Sequence, residues 1–263
     1  MPRRLAPLVA LLAVLAIGAC NAAPATPALT DPKDILAKTV LSLKDVKTVD
    51  AKGELTGSFS ASGTSIDLKG TTFEIQADVP GKKVKASASV SALLNTSAEA
   101  IFVDQALYYK ILGPLAAQFG ADPTGKYKKI DAPMASPGAS GDVTDPQKAS
   151  DDLRAQLDKL PSPPTKGANE KIGDQDCYHV TLKVTSDELK TMNPAAGSFA
   201  IPGIGSVTGE LTVDVWSRTN DLRPAKVAVA VNTGTMGTFT LTFNLSYDSS
   251  LSIAAPAADQ IAP

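Results

Sequence analysis

The chain has 263 residues, with 25 basic against 27 acidic side chains, one histidine, two cysteines and only 5% aromatics. That length suits one large or two small domains. The mildly acidic balance argues against a nucleic-acid partner, whose phosphates require a basic surface, and two cysteines are too few for a disulfide-stapled fold.

Arg3 and Arg4 precede an apolar run from Leu5 to Ile17. The run is too short to cross a hydrocarbon core of ~30 Å as a helix, so it reads as an export signal. Gly18 and Ala19 follow, small enough for a signal-peptidase pocket, and then comes Cys20. This pattern resembles a bacterial lipobox, in which the thiol is acylated and the cysteine becomes the mature N-terminus. Two or more acyl chains give stable anchoring where one does not. Residues 21–30 (NAAPATPALT) are a Pro/Ala/Thr tether without periodicity.

Asp31-Pro32 is a helix start, an N-cap carboxylate followed by proline at the first helical position. Ile35, Leu36, Val40, Leu43 and Val46 then predict an amphipathic helix over 32–47. From Val49 the period changes to two. Alternation predicts strands at 49–60, 66–79, 83–93, 98–103 and 106–110, with turns at 60–65, Pro80-Gly81 and Asp104-Gln105. Residues 111–123 are apolar and Pro-interrupted, a short helix or lid. The Pro/Gly/Ser-rich stretch 131–146 is an internal linker, and a helix at 146–160 stops at Pro161. Strands are predicted at 169–172 and 177–184, a short helix from Ser186, and three long strands at 206–217, 225–232 and 237–247. This helix–strands–helix–strands order lacks parallel-type alternation. It predicts an α+β fold built on one curved antiparallel sheet of about ten strands.

The chemical constellations are weak. Gly120 to Tyr127 resembles a phosphate-binding loop, but Tyr127 stands where a hydroxyl must hold magnesium and Pro123 removes a backbone N–H. Gly203 to Gly209 fails dinucleotide spacing and leads into a strand. Cys177 and His179 are too few for a zinc site, and no Gly-x-Ser-x-Gly elbow accompanies His179. Cys177 reads as a buried small hydrophobe, and Asp174 and Asp176 as turn residues. No catalytic residue, metal or cofactor is predicted, and the protein is not expected to be an enzyme. What remains is apolar loop surface at Ile111, Leu112, Leu115, Phe119 and 198–204, which either caps the core or lines a pocket.

Several stretches carry a likeness: the Cys20 lipobox and tether, the first helix running into Val49–Phe59, residues 100–110 (AIFVDQALYYK), 171–180 (KIGDQDCYHV) and 215–226 (VWSRTNDLRPAK). Together they resemble the LppX/LprG-type bacterial lipoproteins, relatives in fold of the LolA and LolB carriers. The resemblance implies that the sheet is a strongly curved antiparallel half-barrel with helices on its concave face, and that a cavity between them holds lipid or glycolipid acyl chains. The loops at 111–123 and 131–146 have no counterpart in that likeness. The domain plan is a signal peptide at 1–19, a lipidated N-terminus and tether at 20–30, a lipid-binding domain at 31–250 and a C-terminal tail at 251–263. Candidate cavity residues are Phe59, Phe73, Ile75, Val90, Phe102, Tyr108, Leu112, Phe119, Ile201 and Ile204. The expected protein is a monomer anchored at the extracytoplasmic face of the cell membrane, with a lipid or glycolipid as ligand. The alternative is a non-catalytic envelope sensor or scaffold with a filled interior that binds a protein partner.

Overall fold

A computed structural model of the chain describes residues 28–61, 64–114, 116–131, 145–185, 187–188, 199–201, 205–207 and 209–263. The Asp31 carboxylate accepts the Lys33 N–H at 2.9 Å and caps α1, Pro32–Leu41. This helix is shorter than its apolar period predicts. The Ser42 hydroxyl donates to the Thr39 carbonyl, and the backbone tightens into i−3 turns that end with Val46 N–H on the Leu43 carbonyl. Leu43 and Val46 therefore continue the period without continuing the helix.

Seven strands follow: β1 (Thr48–Ala61), β2 (Thr64–Asp67), β3 (Thr71–Asp78), β4 (Lys83–Val90), β5 (Thr96–Val103), β6 (Ala106–Leu112) and β7 (Lys128–Asp131). Helix α2 (Pro146–Leu157), capped by the Asp145 carboxylate, opens the second half. After it come β8 (Thr165–Lys166), β9 (Glu170–Ile172), β10 (Gln175–Thr185), β11 (Phe199–Ile201), β12 (Gly205–Val207), β13 (Glu210–Arg218), β14 (Pro224–Asn232) and β15 (Gly237–Tyr247). The strands β11 and β12 pair only with each other. The other thirteen form one sheet in the order β7-β6-β5-β4-β3-β1-β15-β14-β13-β10-β8, with β2 also on β1 and β9 on β10.

The sheet is antiparallel, curved and unclosed, the predicted α+β half-barrel. Thirteen strands replace the predicted ten because β2, β7 and β8 have only four, four and two residues, too few for alternation to register. One predicted strand, 66–79, is two, broken by a turn at Leu68–Gly70 in which Leu68 N–H reaches back to the Gly57 carbonyl. The long strands β1 and β15, far apart in sequence, pair from Val49↔Tyr247 to Phe59↔Gly237 and join the two halves.

Helix α1 lies on the inner face, where the Thr39 and Ser217 hydroxyls meet at 2.7 Å in a buried contact with β13. Its buried side includes Ile35, at 0% exposure, and Leu36. Helix α2 clasps α1 through the Ser150 hydroxyl on the Ala37 carbonyl and through the Lys33–Asp158 and Arg154–Asp34 ion pairs. The stretch 251–263, predicted as a tail, is instead packed on the outer face. Ile253 is 6% exposed among Ile101, Val103, Ala106, Tyr108 and Tyr127, and the Tyr127 backbone exchanges hydrogen bonds with Gln260 and Ala262. Residues Asp31–Pro263 form one compact unit.

Candidate functional site

Successive side chains of a strand point to opposite faces, so the register assigns a face to every strand residue. In the middle of the sheet one cross-strand row of the inner face reads Ile111, Ala98, Ala88, Phe73, Gly53, Phe243 and Val227, from β6 to β14. The neighbouring row reads Tyr109, Ala100, Ala86, Ile75, Ala51 and Leu245. No charge interrupts either row. On the outer face the equivalent row is Lys110, Glu99, Ser87, Glu74, Lys52 and Asn244. Lysines reach the inner face at the two sheet edges, Lys128 on β7 beside Tyr109 and Lys166 on β8 beside Val180, a common protection of open edges.

This apolar inner face is only half-buried. Ile75 and Val84 each keep 38% of their surface exposed, although burying apolar area is worth about 25 cal/mol per Å². An open trough of about 310 Å³ lies over it. Phe73 and Ile75 come from β3, Ala86 and Ala88 from β4, Ala98 and Ala100 from β5, Tyr109 and Ile111 from β6, and Leu241 and Phe243 from β15. Ser87, Glu99 and Lys110 complete the lining, with their side chains outward by alternation. Gly53 matters here: a Cβ at that position would lie 2.6 Å from the Phe243 ring. Its absence lets the ring lie down on the sheet and keeps the trough open.

A larger groove of about 610 Å³ occupies the outer face. Serine hydroxyls floor it, and opposed charges meet across it, Lys52 with Glu74 at 3.8 Å and Lys85 with Glu99 at 3.7 Å. Water solvates such a surface well. The apolar trough, by contrast, presents surface that water solvates poorly, which makes it the candidate ligand site among the described residues.

The structure places the predicted cavity residues unevenly. Phe73 and Ile75 line the trough. Val90 and Phe102 share the inner face but lie outside the lining. Phe59 closes one end of β1, packed on the cluster of Leu68, Val231 and Phe239. Tyr108 is a correction: it points outward and is buried beneath Ile253. Leu112 also alternates outward and borders the polar groove. Phe119 sits in a short 3-10 turn, 56% exposed. Ile201 is described only as a backbone position of β11, and Ile204 and Cys20 lie outside the described residues. Reading the residues named Ile111 as apolar surface that caps the core or lines a pocket, and missed the four alanines, Tyr109, Leu241 and Phe243. On β5 and β6 both faces are apolar, the outer one beneath Ile253, so alternation fades in AIFV and ALYYKIL.

The lone histidine is a structural tie on the outer face. His179 Nδ1 lies 2.9 Å from Glu170 and Nε2 2.9 Å from Asp214. Its ring stacks on Trp216 at 4.5 Å, and the Trp216 indole N–H donates to Glu170 at 2.9 Å. That donation, with the imidazole and Lys226 nearby, holds the Glu170 carboxyl below its ordinary range. Cys177 beside this cluster is fully buried, and burial pushes its thiol up, away from the reactive thiolate. The loop reaching Tyr127 forms no phosphate cradle: Tyr127 is buried with its hydroxyl donating to Glu99, and burial and that carboxylate push the phenol up.

No protein-family model and no curated protein matches the chain. Among solved structures, the Mycobacterium tuberculosis lipoprotein LppX aligns with a TM-score of 0.52 at 9% identity, over 85% of this chain and 98% of LppX. LprF from Mycobacterium bovis aligns with a TM-score of 0.47 at 15% identity, over 86% of this chain and 97% of LprF. The likeness to LppX thus takes in most of this chain and nearly all of LppX. The chain therefore has the fold of the lipoprotein LppX, an open, curved antiparallel sheet with helices on its concave face.

Proposed function

We propose that this protein is a membrane-anchored lipoprotein that holds the acyl chains of a lipid or glycolipid in the inner-face trough and carries them within the cell envelope. One observation carries the reading: an uncharged apolar surface, continuous across the middle strands, is left half-buried over an open trough. Each methylene moved from water onto such a surface gains about 0.8 kcal/mol, so a long chain supplies ample binding energy. That the described residues leave the inner face half-exposed supports a carrier over a scaffold with a packed interior. LppX, whose fold this chain shares, is itself described as a lipoprotein.

The address rests on Cys20. Acylation there anchors the body to one membrane, and the ten tether residues let it reach no more than about 35 Å from the anchor. Among the described residues no helix is long and apolar enough to cross a membrane. The reading has two tests. Delipidated protein is expected to take up a fluorescent fatty acid saturably, and absence of uptake contradicts a carrier. Cys20→Ser is expected to shift the protein from the membrane to the soluble fraction, and retention at the membrane contradicts the anchor.

A further inference from the structure

Two turns meet at the end of the sheet where β3 passes into β4. Residues 43–47 follow α1 and residues 78–83 join the two strands, and the Val79 N–H donates to the Lys47 carbonyl at 2.9 Å. The second turn is braced from within. The Asp78 carboxylate accepts the Gly81 N–H at 3.0 Å, and the Lys82 N–H donates to the Val79 carbonyl at 3.2 Å. Its tip holds Val79 and Pro80 in water, Val79 with 55% of its surface exposed. On the first turn Val46 is buried, but Leu43 stays 39% exposed. Around these apolar side chains stand four lysines, Lys44, Lys47, Lys82 and Lys83, against two carboxylates, Asp45 and Asp78. Lys44 approaches Asp45 at 4.0 Å, and among the described residues Lys47, Lys82 and Lys83 lie in no ion pair.

We infer that this end of the sheet is a docking surface for a bilayer with anionic headgroups. A chain of net charge −2 gathers an excess of cations around exposed apolar tips, which is the complement of such an interface. Val79, Pro80 and Leu43 gain by leaving water among the headgroups, and the lysines are drawn to the negative surface. The surface is also continuous with the trough. Phe73, Ile75 and Ala77 alternate along the inner face of β3 toward Val79, and Ala88, Ala86 and Val84 do so along β4. The use of the surface rests on the carrier reading: docking here sets the apolar face of β3 and β4 end-on to the membrane. The opposite end of the sheet presents Leu94, 65% exposed, in the uncharged stretch 91–97 (SALLNTS). It has apolar surface without the cations.

The test attaches an environment-sensitive fluorophore to the full-length protein through Val79→Cys or Leu94→Cys. Unsubstituted protein treated alike supplies the background, since Cys177 is fully buried. On mixed phosphatidylglycerol and phosphatidylcholine vesicles, nitroxide-bearing lipids are expected to quench the label at position 79 and spare the one at position 94. Phosphatidylcholine alone, or salt near about 1 M, relieves the quenching. Lys82→Glu/Lys83→Glu lowers the ratio of inserted to free label by at least about tenfold, because each lysine at an anionic surface is worth about fivefold. Should that pair unfold by circular dichroism, Lys44→Glu/Lys47→Glu gives the same readout. An unquenched label at position 79, equal quenching at position 94, or quenching indifferent to headgroup charge overturns the docking surface. The same preparations are assayed for uptake of a fluorescent fatty acid. Uptake without insertion removes the docking surface and leaves the carrier reading standing, and insertion without uptake does the reverse.

Discussion

His179 shows how one residue fastens three strands. Glu170 on β9 and Asp214 on β13 reach its two ring nitrogens from opposite sides of β10. Thr181 adds a 2.6 Å bond to Asp214, and Lys226 on β14 lies 4.6 Å over the Trp216 ring. Removing the imidazole as His179→Ala takes one partner from each carboxylate and unties β9 from β13, and is expected to lower the unfolding free energy by about 1–2 kcal/mol, measured by urea denaturation. A change below about 0.3 kcal/mol contradicts a structural role. Glu170 gives this tie a pH dependence with a definite sign. Its folded carboxyl is depressed below the ordinary value, first by the Trp216 N–H. Its contribution is therefore complete above the unfolded value of ~4.3 and is lost as pH falls through the lower folded value. Between about pH 5 and pH 3 the melting temperature of Glu170→Gln should fall less than that of the unsubstituted protein. Parallel curves contradict the assignment.

At the scale of elements, the period-two pattern found the long strands, and on β1, β3, β4 and β15 it also separates a polar outer face from an apolar inner one. It faded where a second layer covers the outside. On β5 and β6 the segment around Ile253 buries Ile101, Val103 and Tyr108 from the outer side, so both faces are apolar and inward cannot be told from outward. Tyr108 was assigned to the cavity for that reason, Tyr109 was passed over, and Ile111 was read only as part of an apolar loop. The same loss of contrast made 251–263 read as a tail: it has no period of its own and is fixed by Tyr127 and the β5–β6 surface. Ile253→Ala should therefore cost about 2–4 kcal/mol in urea unfolding, as for a buried aliphatic side chain. A loss under about 0.5 kcal/mol returns the segment to the status of a tail.

For the whole molecule, the order of helices and strands together with the likeness in soft strand and turn motifs was enough to predict an open half-barrel with helices on the concave face. The position of the trough was not legible, because it depends on pairing β1 with β15 across most of the chain, which sets Gly53 between Phe73 and Phe243. Among the described residues this face is only half-buried, where apolar surface is ordinarily buried, and on the proposed reading a carried lipid covers it. Native mass spectrometry of the full-length protein, purified gently from its own membrane, tests this most directly. The account predicts a discrete added mass in the lipid range that disappears on delipidation and returns after incubation with lipid vesicles. A single unliganded mass before and after exposure to vesicles would contradict it.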